Sequence, residues 1–209
     1  HAADGAVRSD QPFCFAAQQR GPVRLQAVGP VLCIAVRLQP AASALVAGAH
    51  LPGLRDHAPD MNTLDDTFAT VFAAAARASA ADNDPEPLWQ FLRPFCSAFA
   101  LDATIEKAVA LLDAAEGDLR ISTLAKTVGV SLRTLQPRFL ASVGMTPKEY
   151  ARVRRLQALL QSLDHEEPDI AAAAARHGYS DQAHATHDLV RWTGSTPAAL
   201  VRALRGDRN

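Results

Sequence analysis

Two stretches decide how this chain folds: Ala125-Lys126-Thr127-Val128-Gly129-Val130-Ser131 and Ala174-Ala175-Arg176-His177-Gly178-Tyr179-Ser180. Their Ala, Gly and Ser recur at an offset of 49 positions. Further on, Phe139 answers Leu189 and Gly144-Met145-Thr146-Pro147 answers Gly194-Ser195-Thr196-Pro197, now at an offset of 50, so the second unit carries one inserted residue. An internal repeat defines architecture before any single element does. Each repeated residue has a steric task. Leu124 and Val128, like Ile170 and Ala173, face a core from a first helix. Ala125 and Ala174 are small where a second helix crosses close by. Gly129 and Gly178 end the first helix in a left-handed backbone that only glycine takes cheaply. Val130 and Tyr179 insert between the helices, and Ser131 and Ser180 are suited to cap the next one. This is helix–turn–helix logic, written twice.

The surroundings agree. From Asp102 onward the chain reads as seven helices: one around Ile105–Leu112 ending at Gly117, then Ile121–Val128, Leu132–Ser142, Pro147–Leu163, Asp169–His177, Asp181–Thr193 and Pro197–Leu204. Upstream the signals are mixed. Pro12–Ala16 and Val23–Val28 alternate weakly, and Val31–Leu38 is a β-branched run bounded by Gly29-Pro30 and Pro40, which predicts a strand. Pro40 opens a short helix, Ala41–Ala47, stopped by Gly48. Leu51–Pro59 reads as loop. Asn62 or Thr63 caps a helix over 64–80 with Phe68, Val71 and Phe72 on one face. Pro87 begins another over 86–99, which Pro94 should kink or divide. The predicted fold is mainly α. A C-terminal all-α domain (101–209) holds two helix–turn–helix units, about 121–142 and 169–193, joined by a long helix. A small α+β N-terminal domain (1–100) with a few strands within 10–40 precedes it.

Composition narrows the function. The chain has 209 residues, 48% apolar and 21% charged, enough for one large domain or two small ones. It offers no apolar run long enough to span a bilayer. Net charge is −1, but residues 1–118 hold 8 Lys/Arg against 14 Asp/Glu while residues 119–209 hold 13 against 8. The repeat thus lies in the positive half, which points that half toward a polyanion. Cys14, Cys33 and Cys96 are too few and too scattered for a disulfide framework or a zinc ribbon, and they predict a reducing, cytoplasmic setting. The start lacks a signal peptide, and since His1 is not a natural start, the true N-terminus is expected to be missing or replaced. No GxSxG, HExxH or phosphate loop is present, so no enzyme is expected. His177, His184 and His187 are read as turn and helix residues rather than metal ligands, and no cofactor is expected. The aromatic group Phe68, Phe72, Trp89, Phe95 and Phe99 reads as core or a dimer face before it reads as the lining of an effector pocket.

Leu124-Ala125, Gly129, Ser131, Arg133, Leu135, Phe139, Gly144, Thr146-Pro147, Arg155 with Ala158 and Leu159-Leu160, then Ile170, Ala174, Gly178-Tyr179, Asp181-Gln182, Thr193-Gly194 and Thr196-Pro197 together resemble the DNA-binding domain of AraC/XylS transcription regulators. The resemblance spans residues 103–204. Residues 10–100 resemble, more weakly, the tail of a cupin-related sensor domain, so 1–100 is read as part of a sensor or dimerisation domain. The resemblance implies a DNA-binding transcription regulator with two recognition helices in adjacent major-groove segments of double-stranded DNA. It admits RNA polymerase, a small-molecule effector and a second copy of the chain as further partners, with no membrane involved. It makes Arg133, Gln136, Gln182, Ala183, Thr186 and His187 the base-reading candidates. Ser131, Thr134, Arg138, Lys148 and Arg191 are the phosphate candidates. Arginine bonds guanine and glutamine bonds adenine in the major groove, while phosphate contacts set position and salt dependence. Three departures stand out. Pro137 and His187, equivalent in the repeat, replace the family's common arginine, and Ala185 replaces a larger apolar residue. Pro137, well inside its helix, predicts a kinked or partly unwound first recognition helix and binding that leans on the second unit. The alternative reading is a protein-interaction module that keeps the fold with weakened or lost specific DNA binding.

Overall fold

The computed structural model describes residues 13–206 apart from 20, 22, 24–28, 31, 99 and 166–168. Its architecture is helical. Ser43–Ala47 (α1), Asp66–Asp82 (α2), Glu86–Ala98 (α3) and Ala103–Ala114 (α4) lead into Ile121–Thr127 (α5), Leu132–Val143 (α6) and Pro147–His165 (α7). Ile170–Arg176 (α8), Gln182–Thr193 (α9) and Pro197–Gly206 (α10) follow. Three 3-10 segments, Pro40–Ala42, Gly48–Gly53 and Met61–Thr63, punctuate the N-terminal part.

The two units are two cores on one rod. The first gathers Ile105, Leu112, Leu124, Leu135, Phe139 and Val143 from α4, α5 and α6 against Tyr150 and Ala151 of α7. The second gathers Ala173, Ala174, Tyr179, Ala185, Leu189 and Val201 against Leu156, Leu159 and Leu163 of the same α7. The hinge glycines behave as their sequence requires: Gly129 and Gly178 sit at φ +77° and +69°. Helix starts are capped by short acceptors. Asp102, Ser131 and Asp169 accept the amides of Thr104 and Ile105, of Thr134, and of Ala171 and Ala172.

Several expectations are corrected. The strands of a small α+β N-terminal domain do not form among the described residues, where the β signal reduces to a single Cys14–Asp60 bridge. Residues 32–38 carry no strand, and Leu32, Ile34 and Val36 stay exposed. β-branched side chains favour a strand only where a pairing neighbour exists to pack against. Val31, most of Val23–Val28 and Phe99 lie outside the described residues. Leu51–Pro59 begins inside a 3-10 segment, not a loop, because Leu51 is wholly buried. The cap of α2 is Asp65, accepting the Phe68 amide at 2.9 Å, rather than Asn62 or Thr63. The cap of α9 is Asp181, accepting the His184 amide at 2.7 Å, rather than Ser180. The residue inserted in the second repeat therefore sits in the turn itself, and Asp181 falls 50 positions after Ser131. Neither proline breaks its helix: Pro94 lies inside α3, and α6 runs as one α-helix through Pro137, not unwound.

The N-terminal part forms two packing groups. Phe13, Phe68, Phe72 and Phe91 stack and tilt against one another between α2 and α3, with Phe95 4.7 Å from Phe68 by ring centroids. That makes most of the aromatic group core, whereas Trp89 is 53% exposed. The 40–53 segment instead packs on the first helix–turn–helix unit. Ala41 joins its core, and residues outside the segment add to the contact: Gln18 donates to the Val143 carbonyl at the end of α6, and Arg55 pairs with Glu149 of α7 at 3.3 Å.

Candidate nucleic-acid interface

In each unit the second helix buries one side and presents the other. On α6, Leu135, Phe139 and Val143 are buried, while Leu132, Arg133, Gln136 and Pro137 are exposed. On α9, Ala185, Asp188 and Leu189 are buried, while Gln182, Ala183, His187 and Val190 are exposed with Thr186 half-buried among them. Positions 182, 183, 186, 187 and 190 form one helical stripe, because residues three and four apart stack on the same face. They surround an open, shallow depression of about 720 Å³. The six base-reading candidates thus fall on two outward stripes, Arg133 and Gln136 on α6 and Gln182, Ala183, Thr186 and His187 on α9.

The phosphate candidates separate. Ser131 and Thr134 sit at the exposed start of α6, Ser131 Oγ accepting the Thr134 amide at 3.1 Å. Lys148 and Arg191 are exposed, on the first turn of α7 and the last turn of α9. Arg138 is engaged within the molecule. Its Nε and Nη2 donate to Asp102 at 3.0, 2.8 and 2.7 Å, so α6 is clamped to the start of α4.

That clamp has a counterpart which sequence reading missed. Asp188 of α9, 3% exposed in its side chain, pairs with Arg152 of α7. Arg152 Nε also donates to Asp188 Oδ2 at 3.4 Å. Asp188 lies 50 positions after Arg138, and Arg152 lies 50 after Asp102. Arg138 and Asp188 are therefore equivalent in the repeat with their charges reversed, each fixing its helix, α6 or α9, to the helix that precedes its unit. Their partners are not equivalent, since at the offset of 49 that holds before Ser131 it is Ala151, the neighbour of Arg152, that answers Asp102. The signal was available: Arg138 and Asp188, opposite charges at equivalent positions of the repeat, each lie a half-turn from the outward stripe of their helix.

Electrostatics follow from these pairs. Burial works to raise the Asp102 pKa, but the hydrogen bond and charge of Arg138 and the amides of Ile105 and Thr104 together hold it below its ordinary value. A carboxylate so depressed stabilises the fold above its unfolded pKa, and that contribution is lost as pH falls through the folded value. We expect the first unit to lose stability below about pH 4, and Arg138→Gln to flatten this acid limb in urea titrations followed by circular dichroism. An unchanged acid limb would count against the clamp. The Asp188 hydrogen bond raises the Arg152 pKa, with burial opposing it, so the guanidinium stays charged. Burial, then the Asp188 charge, pushes the Tyr179 phenol up to about 12.

A polar junction ties the units together. Arg155, mid-way along α7, donates to the Gly178 carbonyl at 3.0 Å and to the Gly117 carbonyl at 3.2 Å, and its guanidinium lies 5.6 Å from the centre of the Tyr179 ring. His177, buried, bridges Ser162 Oγ at 2.6 Å and Glu116 Oε2 at 3.1 Å. His184 is held by Ser180 and the edge of Tyr179. Among the described residues, no group of three or more His, Cys, Asp or Glu could hold a metal ion, and no helix is long and apolar enough to cross a membrane.

Residues 124–203 match a family described as a helix-turn-helix domain. No curated protein matches the chain. A solved structure described as a transcriptional regulator (AraC-type DNA-binding domain-containing proteins) from Chromobacterium violaceum is similar at 28% identity, covering 51% of this chain and 95% of that one with a TM-score of 0.47.

Proposed function

We propose that the protein is a DNA-binding transcription regulator of AraC/XylS type, whose helices α6 and α9 enter successive major-groove segments on one face of a duplex. The observation that carries this is the matched pair of outward stripes on the two halves of a repeat, within a helix–turn–helix match over 124–203. The 19 residues of α7 make a rod of roughly 28 Å. That is close to the ~34 Å between successive major-groove turns once the bodies of the units are added. The 40–53 segment packs against α6, and in this reading it gives the N-terminal part a physical route to the first recognition helix. A second copy, RNA polymerase and a small-molecule effector are partners this reading allows.

The test is fluorescence anisotropy of the full chain on duplexes selected from a random pool, over a series of salt concentrations. DNA binding of this kind predicts log K falling by about 0.9 per phosphate contact per log unit of salt, together with sequence preference. A flat salt response without preference would instead favour a protein-interaction module. The same assay checks Pro137. An interior proline removes one helical amide bond and costs a helix about 3 kcal/mol or more. Pro137→Arg is expected to raise the melting temperature and to tighten binding roughly tenfold, the worth of one good base or phosphate contact. Unchanged affinity would show that position 137 does not face the duplex.

A further inference from the structure

The outward stripes carry more apolar surface than a DNA-reading face needs. Among the described residues after Asp102, Leu132 and Val190 are the exposed large hydrophobic side chains, each at 41%. Leu132 is the first residue of α6, and Val190 lies in the third turn of α9. Ala183 and Pro137 extend the apolar character on the same two stripes. A lone exposed hydrophobe is ordinary. Here, however, the other large apolar side chains of the domain are buried or half-buried among the described residues, and the two left out fall one on α6 and one on α9.

What lies beside them identifies the occupant. Arg133 and Gln136 are exposed next to Leu132, and Gln182 is exposed on the same stripe as Val190, two turns before it; the three make no side-chain hydrogen bond among the described residues. A protein partner that covers an apolar surface does so through a contiguous patch with charge depleted at its centre. A surface that alternates single apolar groups with free bidentate donors fits the edge pattern of the major groove. There each thymine places a C5-methyl beside hydrogen-bonding atoms of its own and neighbouring bases.

We propose that Leu132 and Val190 read thymine C5-methyl groups, so that the bound sequence carries thymine under the first turn of α6 and under the third turn of α9. This rests on the DNA-binding reading above and adds the base identity at two positions. The test uses the full chain and the duplexes it selects, resynthesised with deoxyuridine in place of single thymidines. That change removes a methyl and keeps pairing, charge and hydrogen bonds. Removing a contacted methyl is expected to weaken binding about three- to fivefold, the worth of one buried methyl group. Leu132→Ala should abolish the thymine–uracil difference at one site and leave it at the other. Val190→Ala should do the reverse, with helix content unchanged in both. Selection without thymine enrichment overturns the assignment, as does equal affinity for thymine and uracil duplexes, or a methyl effect that survives both substitutions. Any of these leaves DNA binding standing. Failure to select any duplex overturns both.

Discussion

Arg152→Ala is expected to cost about 3 kcal/mol of stability, on the order of what breaking a buried ion pair costs when one partner stays behind. The side chain left behind is Asp188, 3% exposed on the buried side of α9. Arg152, at 33%, reaches solvent and can be hydrated alone. The effect is therefore asymmetric: Asp188→Asn, which leaves the exposed partner, should cost much less. The double substitution Arg152→Ala with Asp188→Asn removes the charge that Arg152→Ala strands, so it should be more stable than Arg152→Ala alone. Chemical denaturation of the three variants checks this, with coupling read from the cycle. Equal costs for the two single substitutions would mean that the buried carboxylate is not the seat of the penalty. The pair also orients α9, so binding to selected duplexes should weaken over the second half of the site before the first.

Gly117→Ala is expected to be at least as severe. A Cβ at this position would lie 2.0 Å from the Ala151 carbonyl oxygen and 2.9 Å from the Arg155 amide, both backbone atoms of α7, and the residue sits at φ +78°. No side-chain rearrangement can relieve a backbone contact, so α4 and α7 must move apart. That movement strains the first core and stretches the Arg155 bond to the Gly117 carbonyl. Gly129 supplies the internal control, because its φ is +77° and no heavy atom lies within 4 Å of its added Cβ. Gly129→Ala meets only the backbone strain, roughly 1–2 kcal/mol. Gly117→Ala adds the clash and should lose about 3 kcal/mol or more. Similar melting temperatures for the two variants would contradict the close approach of α4 and α7.

What the sequence made legible was what acts locally or recurs. Gly129 and Gly178, the cap Ser131, and the apolar spacing of Leu135 with Phe139 state their roles within a few residues, and the repeat doubled the glycine and apolar signals. Misreadings arose where a distant partner decides. The 31–38 run has strand-forming residues but gains no strand, since propensity cannot supply a neighbour. Ser180 looked like the cap because it continues the 49-residue alignment, while the insertion moved that task to Asp181. Arg138 is a phosphate candidate by the resemblance, and its pairing with Asp102, 36 residues away, is a contact the sequence did not announce. The packing of 40–53 on α6 and the Arg152–Asp188 pair likewise depend on contacts that no local pattern records. The outward stripes were legible for a simple reason: once the buried side of a helix is fixed by its apolar residues, the other side follows.

The central claim is that α6 and α9 read two segments of one duplex. Chemical footprinting of the full chain on a selected duplex tests it most directly, with Arg133→Ala plus Gln136→Ala in one variant and Gln182→Ala plus Thr186→Ala in another. The account predicts two protected major-groove segments about 10 base pairs apart, the first lifted by the α6 variant and the second by the α9 variant. One protected segment, or two that respond alike to both variants, would contradict it.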